Sequence, residues 1–301
     1  MEFNKASNSI GIPTSEIEID TALVLNLLQQ QHPDLMHLPI KLFDAGWDNA
    51  IFRLGDKLLV RLPRHQAAAK LIEHEQIWLP LLAPRLTIPV PIPYRIGEPT
   101  SNYPWKWSIL PWLNGITAAQ EPPNPNQAKI WASFLRLLHH TAPSNAPKNL
   151  FRGVRLKQRA ADIEQRIQRL EQNNLITTAT KNLWAEALDT PIDTEAKWLH
   201  GDLHPGNVLV EKGALAGIID WGDLTSGDIA TDLASIWMLF PQQHARQQAI
   251  TEYAHVSAQT LQRAKGWVIY FGITLLDTGL IDNATQAAIG ARTLNCVAED
   301  E

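Results

Sequence analysis

The sequence predicts an α+β protein in which a small antiparallel sheet and one long helix precede a larger, mainly helical region. Three observations carry this reading. Short apolar-rich runs with tight-turn residues between them fill residues 38–63, helical periodicity dominates beyond residue 127, and the cluster EPPNPNQ at Glu121–Gln127 punctuates the change. The expected domains are 1–113, holding an N-terminal helix, five strands and the long helix, and 114–301, which is helical apart from one strand-and-loop stretch.

In chain order, Asp20–Gln31 reads as a short amphipathic helix stopped by His32-Pro33. KLFDAGW, NAIFRLG and KLLVRLP then form a three-strand meander, with Gly55-Asp56 turning the last two. From Gln66 to Leu82 the residues Ala68, Leu71, Ile72, Leu79 and Leu82 make one buried helical stripe. VPIPYRIGEP and YPWKWSILPWL supply two more strands, with prolines at ends or edges. Helices are expected over 127–140, 155–172, 178–188, 228–240, 243–253, 258–279 and 283–297, with short strands between Lys197 and Ile219.

Composition narrows the class. Hydrophobic residues are 45% and charged residues 19% of 301, with 11 tryptophans, which excludes disorder or a fibrous repeat as the main organisation. A single cysteine, Cys296, excludes an internal disulfide framework. No apolar run long enough to span a bilayer and no secretory h-region occurs, so a cytoplasmic protein without a membrane partner is expected. The net charge of −5 argues against nucleic acid. Residues 196–301 hold six basic and twelve acidic residues and carry that imbalance.

The chemistry concentrates in His200-Gly201-Asp202-Leu203-His204-Pro205-Gly206-Asn207, followed by Ile218-Ile219-Asp220-Trp221-Gly222. An Asp, an Asn five residues on and a second Asp thirteen beyond, with two short strands between, match the H-x-D-x-x-x-x-N and D-F-G pattern of phosphoryl transfer. Moving a γ-phosphoryl group asks little covalent help from protein, so the site must orient a hydroxyl and neutralise phosphate charge. A metal pair at His200 and His204 would need a helix, which Gly201 and Pro205 interrupt.

On these residues the sequence resembles the aminoglycoside phosphotransferase family of small-molecule kinases, from about Leu38 to Leu239. The resemblance implies a protein-kinase-like two-lobe fold. It makes Asp202 the catalytic base and Asn207 and Asp220 the ligands of Mg2+. His200 then steadies the catalytic loop and Asp232, in GDIATDLA, anchors its backbone. Asp228 reads as a helix N-cap. In the first lobe Arg61 stands where kinases carry a strand lysine, and Glu75 stands in the place of its helix glutamate. Arg keeps the charge with a bulkier fork. Asn49, in a first hairpin without G-x-G-x-x-G, and the linker Ile109, Leu110, Trp112 and Leu113 are the other nucleotide-binding candidates; since Pro111 lacks an N–H, Trp112 or Leu113 is expected to donate to adenine.

The expected activity is transfer of phosphoryl from ATP or GTP to a hydroxyl of a small molecule, with an antibiotic such as an aminoglycoside or macrolide as the leading acceptor and a monomer as the expected state. A small-metabolite kinase of choline, homoserine or sugar-amine type, or a kinase-like binder of nucleotide without transfer, are the alternatives. Only five residues separate Gly222 from Asp228, too few for the peptide-docking segment of a protein kinase. Trp237, Met238, Phe240, Trp267, Tyr270 and Phe271 fall at helical spacing, which favours core over a ligand shelf.

Overall fold

A computed structural model describes residues 14–300. The chain divides into two compact units, the first comprising Met1–Glu73 with Pro93–Trp112 and the second His74–Ile92 with Leu113–Glu301.

In the first unit, α1 (Thr21–Gln31) is capped by Asp20, whose side chain accepts the Leu23 N–H. The strands β1 (Ile40–Ala45), β2 (Asn49–Leu54) and β3 (Leu58–Pro63) follow, and α2 (Gln66–Leu82) begins in this unit. With β4 (Arg95–Gly97) and β5 (Trp107–Pro111) they complete a five-stranded antiparallel sheet in the order β1-β2-β3-β5-β4. On β2 alternate residues Ala50, Phe52 and Leu54 turn inward, as the period of a half-buried strand requires. They pack with Val24, Leu27, Leu28, Val60 and Trp107 into a single core. Gly97 lies against Trp107, where a Cβ would fall 1.8 Å from the indole.

In the second unit a short strand β6 (Ile116–Thr117) precedes α3 (Ala128–Leu138), α4 (Ala160–Glu171) and α5 (Thr178–Asp189). Then β7 (Lys197–Leu199), β8 (Val208–Glu211), β9 (Ala214–Ile218) and β10 (Thr225–Gly227) frame the motif segment, as a β6-β8-β9 sheet and a β7-β10 pair. Helices α6 (Ala230–Leu233), α7 (Ser235–Leu239), α8 (Gln243–Tyr253), α9 (Ala258–Asp282) and α10 (Ala284–Glu299) close the chain. Trp131, Phe134, Leu199, Trp221, Trp237, Phe240 and Trp267 are among the residues of one continuous core.

Some expected elements differ: the helix read over 155–172 begins at Ala160 after a 3-10 turn, and the short strands β6 and β10 lie outside the strands expected. The helix read over 228–240 is broken into α6 and α7. Ser235 Oγ donates to the carbonyl of Asp232 at 2.6 Å, an alternative partner that competes with the helical ladder at the break.

Helices α9 and α10 pack through glycines. A Cβ at Gly290 would stand 2.4 Å from Leu276 N and 2.6 Å from Gly272 O, and one at Gly279 would meet Ala287 N at 2.2 Å. Backbone cannot yield as a side-chain tip can. Gly290→Ala is therefore expected to lower stability by about 1–3 kcal/mol despite the ~1 kcal/mol of helix propensity that alanine adds. Gly46→Ala, whose Cβ meets nothing within 4 Å, should change stability little. Urea unfolding of both variants checks the contrast.

Candidate active site

The motif residues converge within the second unit, between β7 and β10. The chain leaves β7 at Leu199 and turns at Gly201, where φ is +88° and a Cβ would lie 2.7 Å from Asp223 O, so only glycine fits. Asp232, wholly buried, accepts the N–H of His200 at 2.8 Å and that of Gly201 at 2.9 Å. His200 Nδ1 accepts the Asp202 N–H at 3.2 Å, and its Nε2 lies 3.0 Å from the Ile219 carbonyl. A proton on Nε2 satisfies both contacts. His204 caps a short turn at Pro205–Asn207 by accepting the Gly206 N–H.

Asn207 closes the loop on itself. Its Nδ2 donates to Asp202 O at 2.9 Å and to Asp202 Oδ2 at 3.3 Å, while its own carbonyl accepts the Ile219 N–H at 2.9 Å. The last contact ties the residue preceding Asp220 to the loop. Asp220 is exposed and left-handed at φ 59°, a conformation that Asp tolerates better than most residues. Trp221 anchors the next turn by donating its indole N–H to Ile218 O at 3.0 Å, with its ring 4.6 Å from that of His200.

The site contains a cation that no motif announces. Arg152 Nη2 donates to Asp202 Oδ1 at 2.9 Å, and Arg152 Nε lies 3.9 Å from Asp223 Oδ2. Burial pushes the Asp202 carboxyl up, but Arg152, His204 and His200 outweigh it, and the group is held below the usual carboxylate range. Asp223 goes the other way. Burial first and the Asp202 charge second push it up to about 6, only partly opposed by Arg152 and the Asn149 amide. The pair thus keeps its charge on Asp202, whose side chain remains 22% exposed and reachable. Arg152 lies fifty residues before Asp202 in a stretch without motif spacing; only the fold reveals it.

Buried ion pairs surround this loop. Asp228 Oδ1 accepts the Ala230 N–H at 3.3 Å, as a cap would, yet its main partner is Arg263, whose Nε donates to Oδ2 at 2.7 Å. Arg263 also donates to Asp193 at 2.9 Å. His139 places Nε2 3.3 Å from Asp232 Oδ2 and Nδ1 2.9 Å from the Tyr253 hydroxyl.

In the first unit Arg61 is central on β3, opposite Ile51 and Ser108, and only 4% exposed. Glu75, in the second unit's part of α2, is fully buried. Burial excludes a solvated surface charge at either place. Asn49 opens β2 with a buried Oδ1 that has no hydrogen-bond partner among the described residues. Ile109 and Leu110 pair with Val60 and Leu59. Trp112 donates its N–H to Lys57 O at 2.8 Å, with the Arg53 guanidinium 3.6 Å from its ring centre and the Phe43 ring edge-on at 5.0 Å. That donor is committed to the sheet; Leu113, next in the chain, opens the second unit. As their helical spacing predicts, Trp237, Met238, Phe240 and Trp267 are core, and Tyr270 and Phe271, also buried, reach Arg152.

The chemistry of the donor set fits magnesium. With Asn207 Nδ2 engaged by Asp202, the side-chain oxygen of Asn207 is left as an acceptor, and exposed Asp220 directly follows Ile219, whose N–H the Asn207 carbonyl accepts. Both are hard oxygens. Among the described residues no group of three or more His, Cys, Asp or Glu gathers as metal ligands. Magnesium suits such a site because it keeps waters and takes phosphate oxygens as further ligands.

Residues 39–267 match the profile of the phosphotransferase enzyme family, APH. The chain belongs to this family. Membership places it among phosphotransferase enzymes, and the structural likeness gives it a protein-kinase-like fold. The GDP complex of aminoglycoside 2′-phosphotransferase-IIIa is similar in structure, with a TM-score of 0.66 at 16% identity over 94% of this chain and 100% of that one. Macrolide 2′-phosphotransferase from Brachybacterium faecium matches at 0.57 and 20% identity, over 91% and 97%. A thiamine kinase of Escherichia coli is 41% identical over 56 residues, 19% of this chain and 19% of that protein. The match thus spans about a fifth of the curated relatives' length. No helix among the described residues of this phosphotransferase is long and apolar enough to cross a membrane.

The raised Asp223 carboxyl has a stability consequence. Because its folded-state value of about 6 exceeds the ordinary 3.8, its contribution is complete below the ordinary value and lost as pH rises through about 6. With the side chain 31% exposed, the expected loss is on the order of 1–3 kcal/mol. Asp223→Asn should remove this pH dependence, so the variant gains on the parent between pH 4 and pH 7 in chemical unfolding without magnesium. Parallel stability curves for the two proteins would contradict it.

Proposed function

We propose that this phosphotransferase moves the γ-phosphoryl group of ATP or GTP to a hydroxyl of a small molecule, with Asp202 as the base. The observation that carries the reading is the state of Asp202: ionised, reachable from solvent, and held by Arg152 and Asn207 on a loop whose backbone is bonded to buried Asp232. A carboxylate so fixed can orient an acceptor hydroxyl and take its proton as the bond to phosphorus forms. His200 and Asp232 keep the loop in place. Asn207 and Asp220 would hold Mg2+, which supplies neutralisation of phosphate charge when bound.

Residues 1–113 are proposed as the nucleotide-binding lobe and 114–301 as the lobe that carries catalysis and acceptor. Arg61, Glu75, Asn49 and the backbone of Ile109, Leu110, Trp112 and Leu113 serve the nucleotide in this reading. Leu113 takes the adenine-donor role, because the Trp112 amide is bonded to Lys57.

For the acceptor, the similar structures are those of aminoglycoside and macrolide phosphotransferases, which supports an antibiotic. The 56-residue likeness to thiamine kinase supports the second reading, a small-metabolite kinase. Release of ADP or GDP, measured with magnesium across aminoglycosides, macrolides, thiamine, choline and sugars, separates them.

Asp202→Asn is expected to lower transfer by at least ~10²–10⁴-fold while leaving nucleotide affinity near its original value. Retained turnover in this variant would remove Asp202 from the base role. Asp220→Asn is expected to weaken nucleotide binding when magnesium is present and to change it little without the metal. Calorimetric titration under both conditions reads the difference.

A further inference from the structure

Helix α3 reaches Asp232 by two separate routes. His139, the C-cap of α3, places Nε2 3.3 Å from Asp232 Oδ2, the oxygen that also accepts the His200 N–H. Earlier on the same helix, the Trp131 indole N–H donates to Ser235 Oγ at 3.0 Å, and that hydroxyl donates to the Asp232 carbonyl. All four residues are buried, where bulk water does not replace a lost bond.

The partners fix the direction of each bond. Asp232 accepts a backbone amide on each oxygen, so the His139 proton sits on Nε2 and donates to the carboxylate. Nδ1 is then an acceptor, and the Tyr253 hydroxyl, 2.9 Å away, is its donor. Burial, and after it the Asp232 charge, push the ionisation of Tyr253 upward and keep that hydroxyl protonated. A directed series thus runs from Tyr253 through His139 and Asp232 to the amides of His200 and Gly201.

The far end of this series is held as well. Tyr253 ends α8, and Arg136 of α3 donates to the carbonyl of the preceding Glu252 at 3.1 Å. The chain then turns through Ala254 and His255, at φ 57° and 51°, two successive left-handed residues without a glycine. Such strain persists only where surrounding contacts over-determine it.

The near end meets the reaction. Gly201 immediately precedes Asp202, so the orientation of the Asp232 carboxylate is passed to the base through one peptide. Amides of the loop alone leave that carboxylate free to turn with the loop. A donor from a different helix does not move with it.

We propose that His139 and Tyr253 are positioning residues for phosphoryl transfer, acting through Asp232 to hold the loop that presents Asp202. The proposal rests on the kinase reading above and extends its machinery to α3 and α8.

Turnover of ATP and GTP with magnesium and water as acceptor, and amide hydrogen exchange at His200 and Gly201, are compared in His139→Leu, His139→Gln and Tyr253→Phe. Leucine removes the donor, the glutamine amide nitrogen reaches about as far as Nε2, and phenylalanine removes a single hydroxyl. Thermal unfolding establishes that each variant folds. His139→Leu is expected to lower kcat about 10²-fold, with nucleotide KM within about threefold of the parent's, as a displaced base requires. Exchange at His200 and Gly201 should quicken about tenfold or more relative to amides within α9. His139→Gln should recover most of the loss, and Tyr253→Phe should fall between. Gly290→Ala, destabilised at the α9–α10 contact, should keep the parent's kcat and so separates positioning from lost stability. A kcat in His139→Leu within about threefold of the parent's, or an equal loss in His139→Gln, overturns the proposal. Unaltered relative exchange at the two amides does the same. A parent that turns over neither nucleotide, with water or with any acceptor named above, instead overturns the kinase reading and with it the catalytic consequence, while the exchange arm still decides whether His139 holds the loop.

Discussion

The Asp232 carboxylate is the constraint on which the site depends. A buried charge survives only when its lone pairs are filled, and here they are filled by two consecutive backbone N–H groups and a histidine ring. The arrangement works in both directions. The amides of His200 and Gly201, at a turn where the chain leaves its strand, need acceptors, and Asp232 needs donors. Satisfying both fixes the start of the catalytic loop to helix α6, and His139 extends the connection to Tyr253. Within the loop His200 and Asn207 repeat the same logic on a smaller scale, each spending polar atoms on neighbouring backbone. Asp202 therefore inherits its position from this network of hydrogen bonds.

The same matching of charge recurs in the acidic C-terminal third, where several carboxylates are paired with arginines: Asp228 with Arg263, Asp277 with Arg166 and Arg169, and Asp300 with the fully buried Arg246. Such pairs contribute little net stability compared with apolar substitutes, but breaking one leaves a charge stranded in the core. Their effect is to specify which helices meet. Asp193 and Asp228 converge on Arg263 near the start of α9, while Arg246 joins α8 to the end of α10. A net charge summed from sequence says nothing of this pairing, so the imbalance of residues 196–301 is poor evidence for a polycationic acceptor.

What was legible in the sequence is what depends on near neighbours. Helix α2 runs from Gln66 to Leu82 and α8 from Gln243 to Tyr253 as their apolar periodicity predicts, because amphipathic spacing is local information. The loop from His200 to Asn207 was legible because its spacing encodes its own hydrogen bonds. Contacts made over long separations were not. Arg152 meets a carboxylate fifty residues on, and Asp228, which local pattern presents as a cap, finds its main partner in Arg263 thirty-five residues later. At the break between α6 and α7 the Ser235 hydroxyl bonds the Asp232 carbonyl, a local competition that periodicity does not weigh.

This difference in range separates the two halves of the functional question. Phosphoryl transfer requires a few oxygen and nitrogen atoms at set positions, and a short loop with one internal network can supply them, so the chemistry is written in contiguous residues. Recognition of the acceptor needs a surface, and a surface is assembled from elements far apart in the chain. The surroundings of Asp202 are built in this way: Arg152 arrives from the 149–153 segment and Tyr270 and Phe271 from α9, and none of them carries a motif. Fold and reaction class can consequently persist while acceptor chemistry changes, since residues outside the loop can be replaced without touching the hydrogen bonds that Asp232 accepts from the His200 and Gly201 amides.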